Sequence, residues 1–174
     1  MPRRRSSKVA TRLILAATRR TFARNALVLV VSPQTKLQIR SFADLGRPEV
    51  ERIAVGNPKT VPAGQYAREA LTSLKLWGRL QTRLVLAENV RQVLDYVVRG
   101  EADAGLVYAS DVAAARGEAV IAAYAPKDSH SAILYPIAVV KDSRRRSDAQ
   151  HFIDLTLRSE GQAILKKYGF PGAQ

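Results

Sequence analysis

Residues 52–108 read RIAVGNPKTVPAGQYAREALTSLKLWGRLQTRLVLAENVRQVLDYVVRGEADAGLVY. Ile53-Ala54-Val55, Leu84-Val85-Leu86 and Ala104-Gly105-Leu106-Val107 are apolar runs of strand length, rich in branched residues. Between them Pro62 to Leu74, Trp77 to Thr82 and Val90 to Val98 carry helical spacing, and Gly100 ends the last of these helices. Strands alternating with helices of this length predict a mostly parallel sheet covered on both faces. In open sheets of that kind ligands collect beyond the carboxyl ends of the strands, where helix N-termini also point. Ala63 and Val90 both fall at such strand-to-helix junctions.

Working outward, Asp111 to Arg116 reads as a brief helix closed by Gly117, and Val120 to Tyr124 as another strand. Upstream, Ala26 to Val31 is a continuous apolar run stopped by Ser32-Pro33, as expected of a buried strand. Ser41 to Leu45 predicts a short helical turn led by a capping serine. Lys8 to Arg20 predicts a short basic amphipathic helix with Val9, Leu13, Ala16 and Ala17 on one side, after an unstructured Met1 to Ser7. Downstream, Leu134 to Val140 is a second long apolar strand. Ser147 to Tyr168 is one long amphipathic helix in which Phe152, Leu155, Ile164 and Leu165 recur at helical spacing.

With 174 residues and 47% hydrophobic content the chain can bury a core of ordinary size. No apolar run approaches the roughly 18 to 20 residues that cross a bilayer. The absence of cysteine excludes disulfides and thiolate metal sites and says nothing of compartment. The net charge of +13 is unevenly placed: ten basic residues, from Arg3 to Arg40, precede Asp44, the first acidic one. Such an arm suits nucleic acid or an acidic membrane, although a solvated tail is the plainer account. As an export signal the N-terminus is unconvincing, because Leu13 to Ala17 is hemmed in by Arg12 and Arg19. Arg3-Arg4-Arg5-Ser6 lacks the apolar region that a twin-arginine signal needs.

A helix start offers unpaired backbone N–H groups and roughly half a positive elementary charge, so a tetrahedral dianion can be held without a lysine. At Val61-Pro62-Ala63-Gly64, Pro62 presets the first turn and the small residues let backbone amides approach an anion. In Glu88-Asn89-Val90, Asn89 is a good N-cap and the amide of Val90 lies in the free first turn. Tyr108 ends an apolar strand and could donate its hydroxyl to a ligand. Taken singly, each has an ordinary explanation: a helix turn, a cap, a tyrosine bonded to backbone. Enzyme readings find little support. His130 and His151 are the only histidines, and no zinc-helix, phosphate-loop, dinucleotide or nucleophile-elbow motif is present. Asp128-Ser129-His130 reads as a polar loop, and Glu101 and Asp103 as solvated or capping residues.

Three patterns stand in order: Val61-Pro62-Ala63-Gly64-Gln65-Tyr66-Ala67, Ala87-Glu88-Asn89-Val90-Arg91 and Gly100-Glu101-Ala102-Asp103-Ala104-Gly105-Leu106-Val107-Tyr108. They are flanked by Arg19 to Asn25, Leu76-Trp77-Gly78-Arg79-Leu80, Tyr135-Pro136-Ile137-Ala138-Val139 and Lys167-Tyr168-Gly169-Phe170. From about Arg19 to Phe170 the chain resembles the periplasmic molybdate-binding proteins of ABC transporters. That resemblance implies an α/β fold: a type II periplasmic-binding-protein lobe with two interlobe crossing strands and a C-terminal helix. It divides the chain into a basic arm (1–20), a crossing strand and connection (21–43), the second lobe (44–133) and a return strand with the closing helix (134–174). It also implies oxyanion contacts at Ala63, Val90 and Tyr108 without direct metal ligation, molybdate or tungstate as ligand, no cofactor, no enzyme activity and an ABC permease as partner. Sulfate stays open as an alternative anion.

Most of the first lobe, with its two serine-bearing anion loops, has no counterpart here. The expected consequences are anion binding that is weak or lost altogether, apolar surface bared on Leu27 to Val31, Ile137 to Val140 and the last helix, and aggregation or dimerisation through that surface. The resemblance implies a periplasmic location, or a cytoplasmic one if the start is genuine. Two other readings stand beside it: a basic module for nucleic acid or an acidic partner, and an inactive truncated product.

Overall fold

The computed structural model describes residues 13–172. In chain order its strands are β1 (Arg20–Asn25), β2 (Leu27–Val31), β3 (Ile53–Gly56), β4 (Leu84–Ala87), β5 (Ala104–Tyr108), β6 (Val120–Tyr124) and β7 (Ile133–Ile137). Its α-helices are α1 (Pro62–Ser73), α2 (Trp77–Leu80), α3 (Val90–Val98), α4 (Ala109–Ala114), α5 (Arg146–Leu157) and α6 (Ser159–Lys167). The chain divides into two units, Asn25–Ile133 and Met1–Arg24 with Leu134–Gln174.

The larger unit is built on a five-stranded sheet in the order β4-β3-β5-β2-β6. β3 runs parallel to β4 and to β5, whereas β2 is antiparallel to both β5 and β6. Four strands therefore share a direction and β2 opposes them. Parallel neighbours need a crossover, and α1 with α2 supplies it between β3 and β4, while α3 carries the chain from β4 past β3 to β5. All five residues of β2 are buried, as a strand central to the sheet requires. This corrects the expectation that Leu27 to Val31 is bare: the strand is paired on both edges by β5 and β6, and all five of its side chains are buried against the core.

Two glycines set how closely the helices approach. A Cβ on Gly64 would stand 2.5 Å from the carbonyl carbon of Gly56, so the first turn of α1 is seated on the end of β3. A Cβ on Gly105 would meet Val93 Cγ1 and Val97 Cγ2 at 2.9 Å each, where α3 crosses β5. Ala63, Ala67, Ala70 and Leu71 form the buried stripe of α1, and Val93, Leu94 and Val97 that of α3. Both helices end in the same closing pattern. The amides of Glu101 and Gly100 donate to Tyr96 and Val97 O, and those of Leu76 and Lys75 to Leu71 and Thr72 O. The left-handed residue is Gly100 (φ 70°) in the first case and Lys75 (φ 59°) in the second.

Where a turn over Ser41 to Leu45 led by a capping serine was expected, Ala43–Gly46 forms a 3-10 turn that no side chain caps. Asp44 Oδ2 accepts from the amides of Arg40 (3.0 Å) and Ser41 (2.8 Å) and from Ser41 Oγ (2.8 Å). The carboxylate thus gathers three donors just ahead of the turn, the Ser41 hydroxyl among them. Asp103 likewise gathers two amides ahead of β3, those of Glu51 and Arg52 at 2.8 and 2.9 Å.

The smaller unit holds the two-stranded sheet of β1 and β7 and the helices α5 and α6. Among its described residues only Ala23, Val139 and Ile153 are buried, while Phe152, Leu155, Ile164 and Tyr168 are exposed. The single helix expected over Ser147 to Tyr168 is two helices. Arg158 is extended (ψ 167°), and Gly161 packs so tightly that a Cβ there would stand 2.7 Å from Thr156 Cα. Strand β7 stops at Ile137 rather than Val140, which only bridges to Ile14. No helix runs from Lys8 through to Arg20: residues 8–12 lie outside the described ones, Ala16–Thr18 is a 3-10 turn, and β1 begins at Arg20.

Candidate functional site

The register of the larger sheet brings three strand ends to one edge. Gly56 lies opposite Ala87, and Val55 opposite both Leu86 and Leu106. Just beyond, the Asn57 amide donates to Ala87 O at 2.8 Å, so the edge continues one residue past the strands. There the chain leaves β3 for α1, β4 for α3 and β5 for α4. The three residues singled out from sequence, Ala63, Val90 and Tyr108, stand at these three exits.

Ala63 is the second residue of α1 and is buried. The turn before it is closed by Asn57, whose carbonyl accepts from Thr60 N (3.1 Å) and Val61 N (2.8 Å) and whose Oδ1 accepts from Lys59 N (3.0 Å). The N-cap is Val61, whose side chain has no acceptor, so no side chain caps α1. Its first amides, on Ala63 and Gly64, keep their donor capacity. Val90 opens α3. Asn89 Oδ1 accepts from Gln92 N at 2.9 Å, and Gln92 Oε1 returns an acceptor to Glu88 N at 2.8 Å. The cap thus engages the third amide of the helix and not that of Val90.

Tyr108 is half-buried at the end of β5, and its amide donates to Asp111 Oδ2 at 3.0 Å. Burial pushes the Asp111 carboxyl above its ordinary range, partly opposed by that same amide. The Tyr108 ring meets Tyr66 edge-on, with centroids 6.3 Å apart at 63°, and Tyr66 meets His130 at 5.8 Å and 66°. Sequence reading passed over both partners. Tyr66 carried a usable signal, since it stands three residues after Ala63 and so on the same face of α1. His130 carried none, because its approach depends on the 3-10 turn Lys127–Ser129 that precedes it.

Chemically, the edge offers two helix starts with partial positive charge and a phenol, which is a donor set for an oxyanion. Among the described residues no cluster of three or more His, Cys, Asp or Glu side chains could hold a metal ion directly.

The description "Bacterial extracellular solute-binding protein" matches residues 5–171. The molybdate-binding protein ModA of Escherichia coli is 40% identical over 167 residues, covering 93% of this chain and 64% of its own length. ModA of Haemophilus influenzae is 32% identical, covering 91% of this chain and 63% of its own. This chain therefore spans under two thirds of either relative. A solved substrate-binding domain from Clostridium difficile, named for a molybdenum ABC transporter, superposes with TM-score 0.88 at 33% identity. That match covers 97% of this chain and 72% of the solved one. The two ModA relatives are named as molybdate-binding proteins and the solved domain as the substrate-binding part of a transporter. With the match running from residue 5 to 171, the chain belongs to the family of bacterial extracellular solute-binding proteins.

Proposed function

We propose that this chain binds molybdate or tungstate on behalf of an ABC importer, through the amides of Ala63 and Val90 and the hydroxyl of Tyr108. The observation that carries the reading is the shared carboxyl edge of β3, β4 and β5, from which two helices and one phenol depart. Relatives named for molybdate support the choice of ligand. The permease of the importer is the partner, and the periplasm the compartment, that go with this role.

Molybdate, tungstate and sulfate are tetrahedral dianions that only accept hydrogen bonds, so neutral donors bind all three and cavity size separates them. Serine-bearing loops from a first lobe have no counterpart in these 174 residues. Each charge-assisted hydrogen bond is worth about 1.5 to 3 kcal/mol, and losing several weakens binding by some orders of magnitude. Calorimetric titration of the 174-residue chain with sodium molybdate is expected to show affinity weaker than micromolar, and a sub-micromolar constant would contradict this. A salt series separates capture at helix ends from binding by basic side chains, because only the latter falls steeply with ionic strength. Self-association through Phe152, Leu155 and Ile164 goes with the same reading, and sedimentation measures it.

A further inference from the structure

We infer that the smaller unit carries a docking surface for an anionic lipid bilayer, formed where the segment Leu13 to Arg20 is stitched to the loop Val139 to Arg146. The inference is independent of the anion site proposed above. Its first support is the distribution of charge. Met1–Arg24 and Leu134–Gln174 together hold fifteen basic residues against four acidic ones, whereas Asn25–Ile133 holds thirteen against eleven. Of the net charge of +13, the smaller unit therefore carries +11 and the larger +2.

Backbone hydrogen bonds bring two basic stretches of that unit together. Leu15 N donates to Val139 O (2.9 Å), Val139 N to Thr18 Oγ1 (3.0 Å) and Lys141 N to Leu13 O (2.8 Å), while Ile14 bridges to Val140. The Arg146 guanidinium donates to Lys141 O at 2.5 Å, which folds the loop back on this seam. Arg19, Arg20, Lys141, Arg144, Arg145 and Arg146 are all exposed, and Asp142 and Asp148 are the acidic residues that offset them. Arg3, Arg4, Arg5, Lys8 and Arg12 precede the seam in sequence and add five further charges. Fold stability does not account for this placement. Arg145 and Arg146 stand at the start of α5, where the helix dipole disfavours cations, and no side chain caps that helix. Asp148 approaches Arg145 at 3.7 Å with both side chains largely in solvent, a weak offset.

Apolar content points to a bilayer rather than to nucleic acid. Leu13 is 58% exposed and Val140 55% exposed, and both lie on the seam beside the cations. Aliphatic side chains gain by entering the headgroup boundary of a membrane, whereas a phosphodiester backbone offers them nothing. Residues 13–20 and 139–148 hold no aromatic ring on which a base could stack.

The test is flotation of the 174-residue chain with vesicles of phosphatidylcholine, either pure or with roughly one lipid in three replaced by phosphatidylglycerol. Binding is expected on the anionic vesicles and should fall steeply by about 0.5 M salt. Each cation near such a surface is worth about fivefold in affinity, so Arg144→Gln, Arg145→Gln and Arg146→Gln together should weaken binding by at least about tenfold. Lys at the same three positions should stay within about threefold of the parent. Leu13→Ser with Val140→Ser keeps the charge, and should weaken vesicle binding by about fivefold or more while leaving binding to a short DNA duplex as it was. Urea midpoints separate folding from binding, and Val140→Ser alone, with a smaller loss, serves if the pair lowers the midpoint. Equal binding to pure phosphatidylcholine, or no change with Gln at the three arginines, would overturn the inference. Tighter binding to the DNA duplex than to the anionic vesicles would also overturn it, in favour of nucleic acid.

Discussion

Gly64 rests directly on the backbone of Gly56, so close that a Cβ on Gly64 would be 2.5 Å from the Gly56 carbonyl carbon and 3.0 Å from that of Asn57. The obstruction is backbone, which cannot rotate aside as a flexible side chain can. Gly64→Ala should push the start of α1 off the sheet edge. The cost expected is about 1 to 3 kcal/mol, the usual range for overpacking. Urea denaturation measures it, and an unchanged midpoint would mean that α1 is not seated there.

Lys75 makes the opposite case. It occupies the left-handed position that closes α1 (φ 59°), a place where glycine carries no steric penalty. Lys75→Gly should raise stability by about 1 kcal/mol despite glycine's greater freedom in the unfolded chain. The denaturation midpoint should rise with unchanged slope.

Asp44 is held below its ordinary value of 3.8, first by the Arg40 amide and then by the Ser41 hydroxyl and amide. A depressed carboxyl stabilises above its unfolded value and loses that contribution as pH falls through the folded one. The parent should therefore exceed Asp44→Asn in stability at neutral pH, with the gap closing as pH drops below 3.8. Urea midpoints measured across acid pH would show a constant gap if the three donors contribute nothing.

Asp111 should behave with the reverse sign. Burial raises its carboxyl above 3.8, so its contribution is greatest below 3.8 and declines as pH climbs through the raised value. Asp111→Asn, which keeps an acceptor for the Tyr108 amide, should gain on the parent between acid and neutral pH. Paired midpoints at the two ends of that range check the direction.

What the sequence revealed and what it hid divide along physical lines. The run β3-α1-β4-α3-β5 was legible because each element keeps its own period and stops at a strong signal, such as Gly100 or the Asn89 cap. The edge that gathers Ala63, Val90 and Tyr108 follows from that alternation alone. The break at Arg158 was illegible because Leu155, Ile164 and Leu165 keep helical spacing across it, and what parts the helices is the tertiary packing of Gly161 on Thr156. The direction of β2 was hidden for a like reason: an apolar run reads the same both ways. Ser41 does not cap the turn that follows it, because its hydroxyl donates to Asp44, whose carboxylate also draws in the Arg40 and Ser41 amides. The Tyr66 and His130 rings meet through a loop 64 residues apart in sequence, a closeness that no local pattern encodes.

The central claim is that two helix starts and one phenol share a single oxyanion. An amide-resolved NMR titration with sodium molybdate tests it most directly. The predicted result is that the Ala63 and Val90 amides and the Tyr108 ring shift together along one binding curve, with sulfate acting weakly on the same signals. Shifts confined to the basic N-terminal residues, or separate curves for Ala63 and Val90, would contradict it.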